Sequence, residues 1–283
     1  MIAILGGLGA AVLFATTTLL SARSTRLIGP FSVLSWVMLT GLAITLPLVA
    51  IVGVPDRLGA RELGWLVIAG SGNVTGLLLA YAALRTGLVA VVAPILSTEG
   101  AIAALVSVAR GEDLGVASGV TLTAIAAGVL LASLGPTSSR ERTSNDTARA
   151  VLLSTVGATA FGISLYALGK AGTTLPIAWA LLPARLIGSV GVALPLAARS
   201  RLLLTRRALP LVVGGGVCEV LGLASFAVGA RHGIAVSAVL ASQFGAIAAI
   251  AAFIFFRERL TRLQLLGIAA IATGVAVLSA LQA

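Results

Sequence analysis

Long apolar runs separated by short polar loops dominate this chain. An α-helix needs roughly 20 apolar residues to cross the hydrocarbon core of a bilayer, and ten runs are long enough for this. The pattern therefore predicts an all-α membrane protein with ten transmembrane helices. We place these helices at residues 2–21, 31–53, 63–83, 88–109, 115–134, 150–169, 177–198, 209–230, 234–256 and 263–281.

The composition points to the same class of protein. Of the 283 residues, 59% are hydrophobic and 10% are charged, whereas soluble domains carry about 25% charged residues. The single cysteine, Cys218, and the single histidine, His232, leave too few ligands for a disulfide or a Cys/His metal cluster. We therefore expect no metal and no cofactor.

The net charge of +10 has a distribution typical of membrane topology rather than of nucleic-acid binding. With alternate loops on opposite faces, one face carries thirteen Lys and Arg residues and the other carries five. The positive-inside rule places the richer face in the cytoplasm. This predicts a multi-pass protein of the plasma (inner) membrane with both termini outside. From this charge distribution we expect no nucleic acid as a partner, and because no Gly-x-x-x-x-Gly-Lys loop is present we expect no ATP.

The two halves of the chain resemble each other at an offset near 146 residues. Gly-Ala-Ile-Ala-Ala occurs at 100–104 and again at 245–249, and Ala-Ile-Ala-x-Gly-Val occurs at 124–129 and 270–275. The pair Gly-Leu followed by Arg-x-Gly also occurs twice, as Gly76, Leu77, Arg85 and Gly87 and as Gly222, Leu223, Arg231 and Gly233. Such regular recurrence indicates an internal repeat.

Each half contains five predicted spans. Because five is odd, the second half enters the membrane from the opposite side, as in the inverted repeats of many secondary transporters. The sequence thus predicts a first five-helix repeat over 1–134, a polar linker over 135–149 and a second five-helix repeat over 150–283.

Two segments carry a resemblance to a known family. They are "ARGEDL…GVTLTAIAAGVLLAS" at 109–133 and "FRERLTRLQLLGIAAIATGVAVLS" at 256–279. With the ten spans, they resemble the drug/metabolite transporter (DMT) superfamily, and its EamA-type members in particular, which have a Gly-Glu-Arg-Leu element after the fourth and ninth spans. The second copy has Phe256 and Arg257 where the family has Gly. The resemblance implies a carrier with a central cavity, although the family usually keeps both termini in the cytoplasm.

Three charged residues lie near the middle of apolar runs: Glu99, Arg185 and Glu219. A charge in hydrocarbon is costly, so such residues usually mark a transport pathway or a ligand site. Pro94 precedes Glu99 by about one turn and favours a kink there. The three charges are not duplicated in the repeat, which argues against a purely structural role.

These charges suggest how a substrate couples to protons. One Glu beside Arg185 stays ionised, and the other takes up a proton. We hypothesise that Glu99 or Glu219 exchanges its proton for a substrate ammonium while Arg185 receives a substrate carboxylate, which suits a zwitterionic amino acid. The alternative is a buried ion pair that only joins two helices.

Further polar and aromatic residues in the spans are candidate substrate-binding groups. The resemblance implies that the helices carrying several of them line the central cavity; the alternative is interhelical hydrogen bonding. They are Asn73, Tyr81, Ser97, Thr98, Tyr166 and Gln243.

The sequence as a whole predicts a secondary active transporter for a small polar organic solute, coupled to protons and working by alternating access. No nucleophile is paired with a base, and no metal ligands cluster, so we expect no enzymatic activity. The alternatives are a lipid flippase and a membrane enzyme acting on a lipid-linked substrate.

Overall fold

Helices form wherever the sequence has its long apolar runs. The computed structural model describes the chain except for residues 57, 88, 113–114, 134–143, 257–261 and 282–283. In this described part, all regular structure is helical. The α-helices are α1 (Ile2–Ile28), α2 (Pro30–Val52), α3 (Ala60–Thr86), α4 (Val89–Leu96), α5 (Glu99–Ala109), α6 (Val116–Ser133), α7 (Ser144–Thr174), α8 (Ile177–Gly188), α9 (Leu194–Ala198), α10 (Leu209–Ala230), α11 (Ile234–Ala241), α12 (Phe244–Phe256) and α13 (Arg262–Leu281).

Six stretches in the described residues are long and apolar enough to cross a bilayer, which confirms the prediction of an all-α membrane protein. They are Ile2–Ile28, Pro30–Val52, Ala60–Thr86, Ala148–Thr174, Ile177–Ala198 and Leu209–Ala230. The stretch Ile177–Ala198 joins α8 to α9 through a short π-helix at Ser189–Ala193.

Several helix boundaries differ from the apolar runs for local reasons. The helix α1 continues past the predicted run to Ile28, because charged residues near a span end do not interrupt a helix. It stops at Gly29, whose φ of +80° suits glycine, and Pro30 then begins α2. The helix α7 begins at Ser144, inside the predicted linker 135–149. Residues 134–143 lie outside the described part of the chain.

The predicted runs 88–109 and 234–256 are each broken into two helices. The first break lies at Ser97 and Thr98, within about one turn of the kink that Pro94 predicts. The second break, at Ser242 and Gln243, has no proline before it. There both side chains donate hydrogen bonds to the carbonyl of Val239, at 2.7 and 2.9 Å, and such local bonds bend helices.

The two breaks share one backbone hydrogen-bond pattern at an offset of 145 residues. In the first break, the Ser97 N–H donates to Ala93 and the Thr98 N–H donates to Ile95. In the second break, the corresponding donors Ser242 and Gln243 bond to Ala238 and Leu240. The distances agree pairwise, at 3.0 and 3.1 Å in both breaks.

The main helix pairs join the first half of the chain to the second. The helix α1 packs along α10, and α7 packs along α3. The broken helices also meet, because α4 contacts α12 and α5 contacts α11. These contacts enclose the centre of the bundle between the two halves.

Two polar contacts lie at the end of the bundle where α5 and α10 end, and the first joins the two halves of the chain while the second joins two helices of the second half. The Glu112 carboxylate accepts the N–H of Ala235 in the first turn of α11, at 3.2 Å, and also the Ser107 hydroxyl. Arg231 donates to the carbonyls of Gly172 and Leu175, at 2.7 and 3.1 Å, where α7 ends. Both contacts satisfy backbone groups that a helix end leaves unpaired.

Candidate functional site

A cavity lies at the centre of the bundle. Helices from both halves line it, and its walls are apolar with a few polar groups, as in small-molecule sites. The polar lining residues are Thr17, Thr18, Asn73, Tyr81, Glu99, Ser164 and Glu219; the apolar ones are Phe14, Leu77, Ala80, Leu84, Leu96, Phe161, Leu165, Leu223 and Phe244.

Glu219 lies on α10 in the centre of the bundle because small residues let its helix approach two others. A Cβ on Gly216 would lie 2.7 Å from the Cβ of Thr40 on α2, and one on Gly222 would lie 2.6 Å from the ring of Phe14 on α1. The Glu219 residue is 4% exposed. Its carboxylate therefore depends on protein groups, not on bulk water, for compensation.

Two side chains supply that compensation. The Asn73 amide donates a 3.1 Å hydrogen bond to Glu219 Oε1, and Arg185 Nη2 lies 4.0 Å from the same oxygen. Thus α3, α8 and α10 are joined through one carboxylate. The other Asn73 amide atom, Oδ1, is buried without a hydrogen-bond partner among the described residues.

Arg185 lies behind Glu219 and does not line the cavity. It is fully buried, and its Cδ lies against Gly41, where an added Cβ would come within 2.7 Å of it. Its Nη1 donates to the Met38 sulfur at 3.6 Å, while Nε and Nη2 have no hydrogen-bond partner in the described part of the chain. The guanidinium is therefore held by packing and by the charge of Glu219.

Glu99 differs from Glu219 in lacking a partner. It is the first residue of α5, directly after the break at Ser97 and Thr98, and it is 4% exposed. Among the described residues, it makes no hydrogen bond and no ion pair, yet it lines the same cavity as Glu219. The structure thus brings together one compensated carboxyl and one uncompensated carboxyl.

The remaining candidates divide between the cavity and the framework. Tyr81 lines the cavity and is 2% exposed. Tyr166 instead packs edge-on against Trp65, with 5.8 Å between ring centroids, and the Lys170 ammonium lies 5.5 Å from its ring centre. Tyr166 therefore belongs to the helix packing.

Ser97, Thr98 and Gln243 do not line the cavity either. Ser97 and Thr98 donate to backbone carbonyls of α4, at 2.9 and 2.8 Å, and Gln243 bonds to α11 in the second break. These residues shape the breaks that place Glu99 and Phe244 at the cavity wall. The Gln243 side-chain oxygen remains buried without a partner in the residues described.

Three phenylalanines in the cavity wall escaped the sequence analysis. They are Phe14, Phe161 and Phe244, and Phe14 meets Phe244 edge-on with 6.3 Å between ring centroids. A signal was present in the repeated Gly-Leu pairs. Gly222 contacts the Phe14 ring, Gly76 contacts the Phe161 ring, and the leucines that follow these glycines line the cavity.

A smaller cavity adjoins the central one. Its walls come from α3, α7, α8 and α10, and Asn73, Ser164 and Leu223 line both cavities. The Asn73–Glu219 pair thus lies beside the boundary between two spaces in the bundle.

Comparisons with known proteins concern the first half of the chain and the overall fold. Residues 1–134 match the model of the EamA-like transporter family. A search of curated proteins finds no match. One crystal structure has 16% sequence identity and a TM-score of 0.74, and the alignment covers 99% of this chain and 96% of that chain. At this identity, the likeness shows a shared fold.

Proposed function

We propose that the chain, whose residues 1–134 match the EamA-like transporter family, is a proton-coupled secondary carrier of the DMT type. Its solute is a small polar organic molecule, such as an amino acid or a related metabolite, and it works in the plasma (inner) membrane. The observation that carries this proposal is that Glu99 and Glu219 line one central cavity in the described bundle. Intramembrane carboxyls in such a position are typical of proton and substrate relays.

The different surroundings of the two carboxyls support proton coupling. Arg185 and Asn73 compensate the charge of Glu219, so this carboxylate stays ionised through the cycle. Glu99 has no such partner, and its charge needs either a proton or a positively charged solute group. A site that binds either the proton or the solute, but not both at once, links solute movement to proton movement. Arg185 acts here as a positioning residue for Glu219.

The arrangement of the helices supports ten spans in two inverted five-helix repeats. The stretch Ile2–Ile28 corresponds to Ala148–Thr174 at an offset of 146 residues. The reciprocal packing of α1 on α10 and of α7 on α3 fits the same offset. If each pair of broken helices crosses the membrane once, and α6 and α13 each cross once, the spans number five per half. The repeats are residues 1–134 and 150–283, joined by the linker.

A difference between the two repeated arginines supports alternating access. Arg231 is bonded to the carbonyls of Gly172 and Leu175, which holds the end of α7 to the end of α10. Its counterpart Arg85, at the end of α3, is exposed and makes no hydrogen bond or ion pair with the described residues. In an inverted repeat these arginines lie at opposite faces. We propose that the bonds of Arg231 close the face at which it lies, since its counterpart at the other face makes no such bonds within the described residues.

Transport in reconstituted vesicles tests the proposal. A pH gradient should drive accumulation of a solute from a panel of amino acids and amines, and Glu99→Gln should abolish the dependence on the gradient. Glu62→Gln, in the first turn of α3 and away from the cavity, is the matched control. Wild-type rates with unchanged pH dependence in both Glu99→Gln and Glu219→Gln would refute the mechanism. Movement of a labelled lipid in place of solutes would favour a flippase.

A further inference from the structure

The charge on the cavity wall has one sign. Among its lining residues in the described structure, Glu99 and Glu219 are the only ionisable carboxyls, and no Lys, Arg or His is present. The other polar groups are hydroxyls and the Asn73 amide. A solute that enters this cavity therefore meets negative charge and no exposed positive charge.

Among the described residues, the cation beside the cavity is Arg185, and it is not accessible to a solute carboxylate. Its guanidinium lies 4.0 Å from Glu219 Oε1 and contacts Met38 and the Gly41 backbone region on α2. A second carboxylate would have to displace Glu219 to reach it, leaving that carboxylate buried without its cation. Breaking a buried ion pair in this way is strongly unfavourable.

Aromatic rings complete the wall. Phe14, Phe161, Phe244 and Tyr81 lie around the cavity with the two carboxyls. The faces of aromatic rings attract organic cations electrostatically, and the rings also contact the apolar body of a ligand. This combination of carboxyls and rings matches an ammonium group attached to an apolar body.

We propose that the cavity takes a monovalent organic cation, a protonated amine without a carboxylate, in exchange for one proton. The inference rests on the proposed carrier function and narrows its solute. The protonated Glu99 loses its proton to water as the ammonium group binds, and the carboxylate formed then pairs with that group. The charge of the cavity is unchanged by the exchange. A zwitterion brings in one extra negative charge that no lining residue compensates.

Matched pairs of probes test this proposal. Phenethylamine and phenylalanine have the same ring and amine but differ in the carboxylate, as do isopentylamine and leucine. Binding to the purified full chain is measured by thermal shift, since only ligands of the folded state raise the melting temperature. Each amine should bind at least about tenfold more tightly than its amino acid. Binding of the amines should strengthen as the pH rises, because Glu99 then loses the proton that competes with them.

Two Glu→Gln variants distinguish the role of Glu99 in binding from the general effect of removing a carboxylate. Glu99→Gln should remove both the pH dependence and the preference for amines, whereas Glu62→Gln should keep both. If Glu99→Gln does not fold, Glu99→Asp and the wild-type pH dependence still decide the question. Equal or tighter binding of the amino acids would overturn the inference and leave the carrier function standing. No binding and no transport of either class would refute both.

Discussion

Gly100 and Gly245 each pack against the serine at the break in the other half of the chain. A Cβ on Gly100 would lie 2.6 Å from the Cβ of Ser242, and a Cβ on Gly245 would lie 2.9 Å from the Cβ of Ser97. These glycines follow Glu99 and Phe244 directly, and both of those residues line the cavity. The close approach of the broken helices therefore sets the position of the cavity wall.

Replacing Gly100 or Gly245 by Ala should destabilise the protein and reduce transport. The added methyl group overlaps the opposite helix, and overpacking of this kind costs about 1–3 kcal/mol. Gly119→Ala is the matched control, because a Cβ at Gly119 on α6 meets nothing within 4 Å. Melting temperatures of the purified variants check this. Unchanged melting temperatures in both Gly100→Ala and Gly245→Ala would show that the broken helices are not in contact at these glycines.

The single variant Arg185→Gln should be less stable than the double variant that carries both Arg185→Gln and Glu219→Gln. The single change leaves Glu219 buried beside Asn73 without its cation, and breaking a buried ion pair costs about 3–5 kcal/mol. The double variant removes the unpaired charge and should recover part of this loss. Chemical denaturation of the single and double variants measures the coupling free energy. Additive effects would mean that the two side chains do not interact.

Arg231→Gln and Arg85→Gln should shift the accessibility of the cavity in different ways. Loss of Arg231 removes its bonds to Gly172 and Leu175 and should open the face that these bonds close. Loss of Arg85, which is exposed, should leave that face shut. A thiol placed by Thr18→Cys in a Cys218→Ser background reports access to a membrane-impermeant reagent from each side. Equal labelling in the two variants would contradict the proposed closure.

The arginine distribution predicts that both termini lie outside the cell. A reporter enzyme that is active only outside the cytoplasm, fused after Ala283, should therefore be active. The same reporter inserted in the loop between α9 and α10 should be inactive, since that loop carries Arg199, Arg201, Arg206 and Arg207. The reverse result would show that the orientation common in the family holds here.

Much of the framework could be predicted because apolar run length decides where helices cross a bilayer. The sequence also singled out Glu99 and Glu219, since a charge far from the ends of an apolar run stands out. The break at Ser242 and Gln243 was not predicted, because it arises from side-chain hydrogen bonds to Val239 and not from a proline.

The partners of each charge could not be read from the sequence. The run positions alone do not tell which Glu meets Arg185, and only packing places Glu219 beside it while Glu99 has no partner among the described residues. For the same reason Phe14 and Phe161 were missed, since an aromatic residue in an apolar run can face lipid, a neighbouring helix or a cavity. Tyr166, expected as a candidate binding residue, packs against Trp65.

Proton release on ligand binding tests the central claim most directly. Purified protein in weakly buffered detergent solution is mixed with an organic cation that it binds, such as phenethylamine, and the pH change is recorded. The account predicts release of about one proton per bound cation in the wild type and in Glu62→Gln, because the ammonium group replaces the Glu99 proton. It predicts no release in Glu99→Gln. Binding without proton release in the wild type, or the same release in Glu99→Gln, would contradict the account.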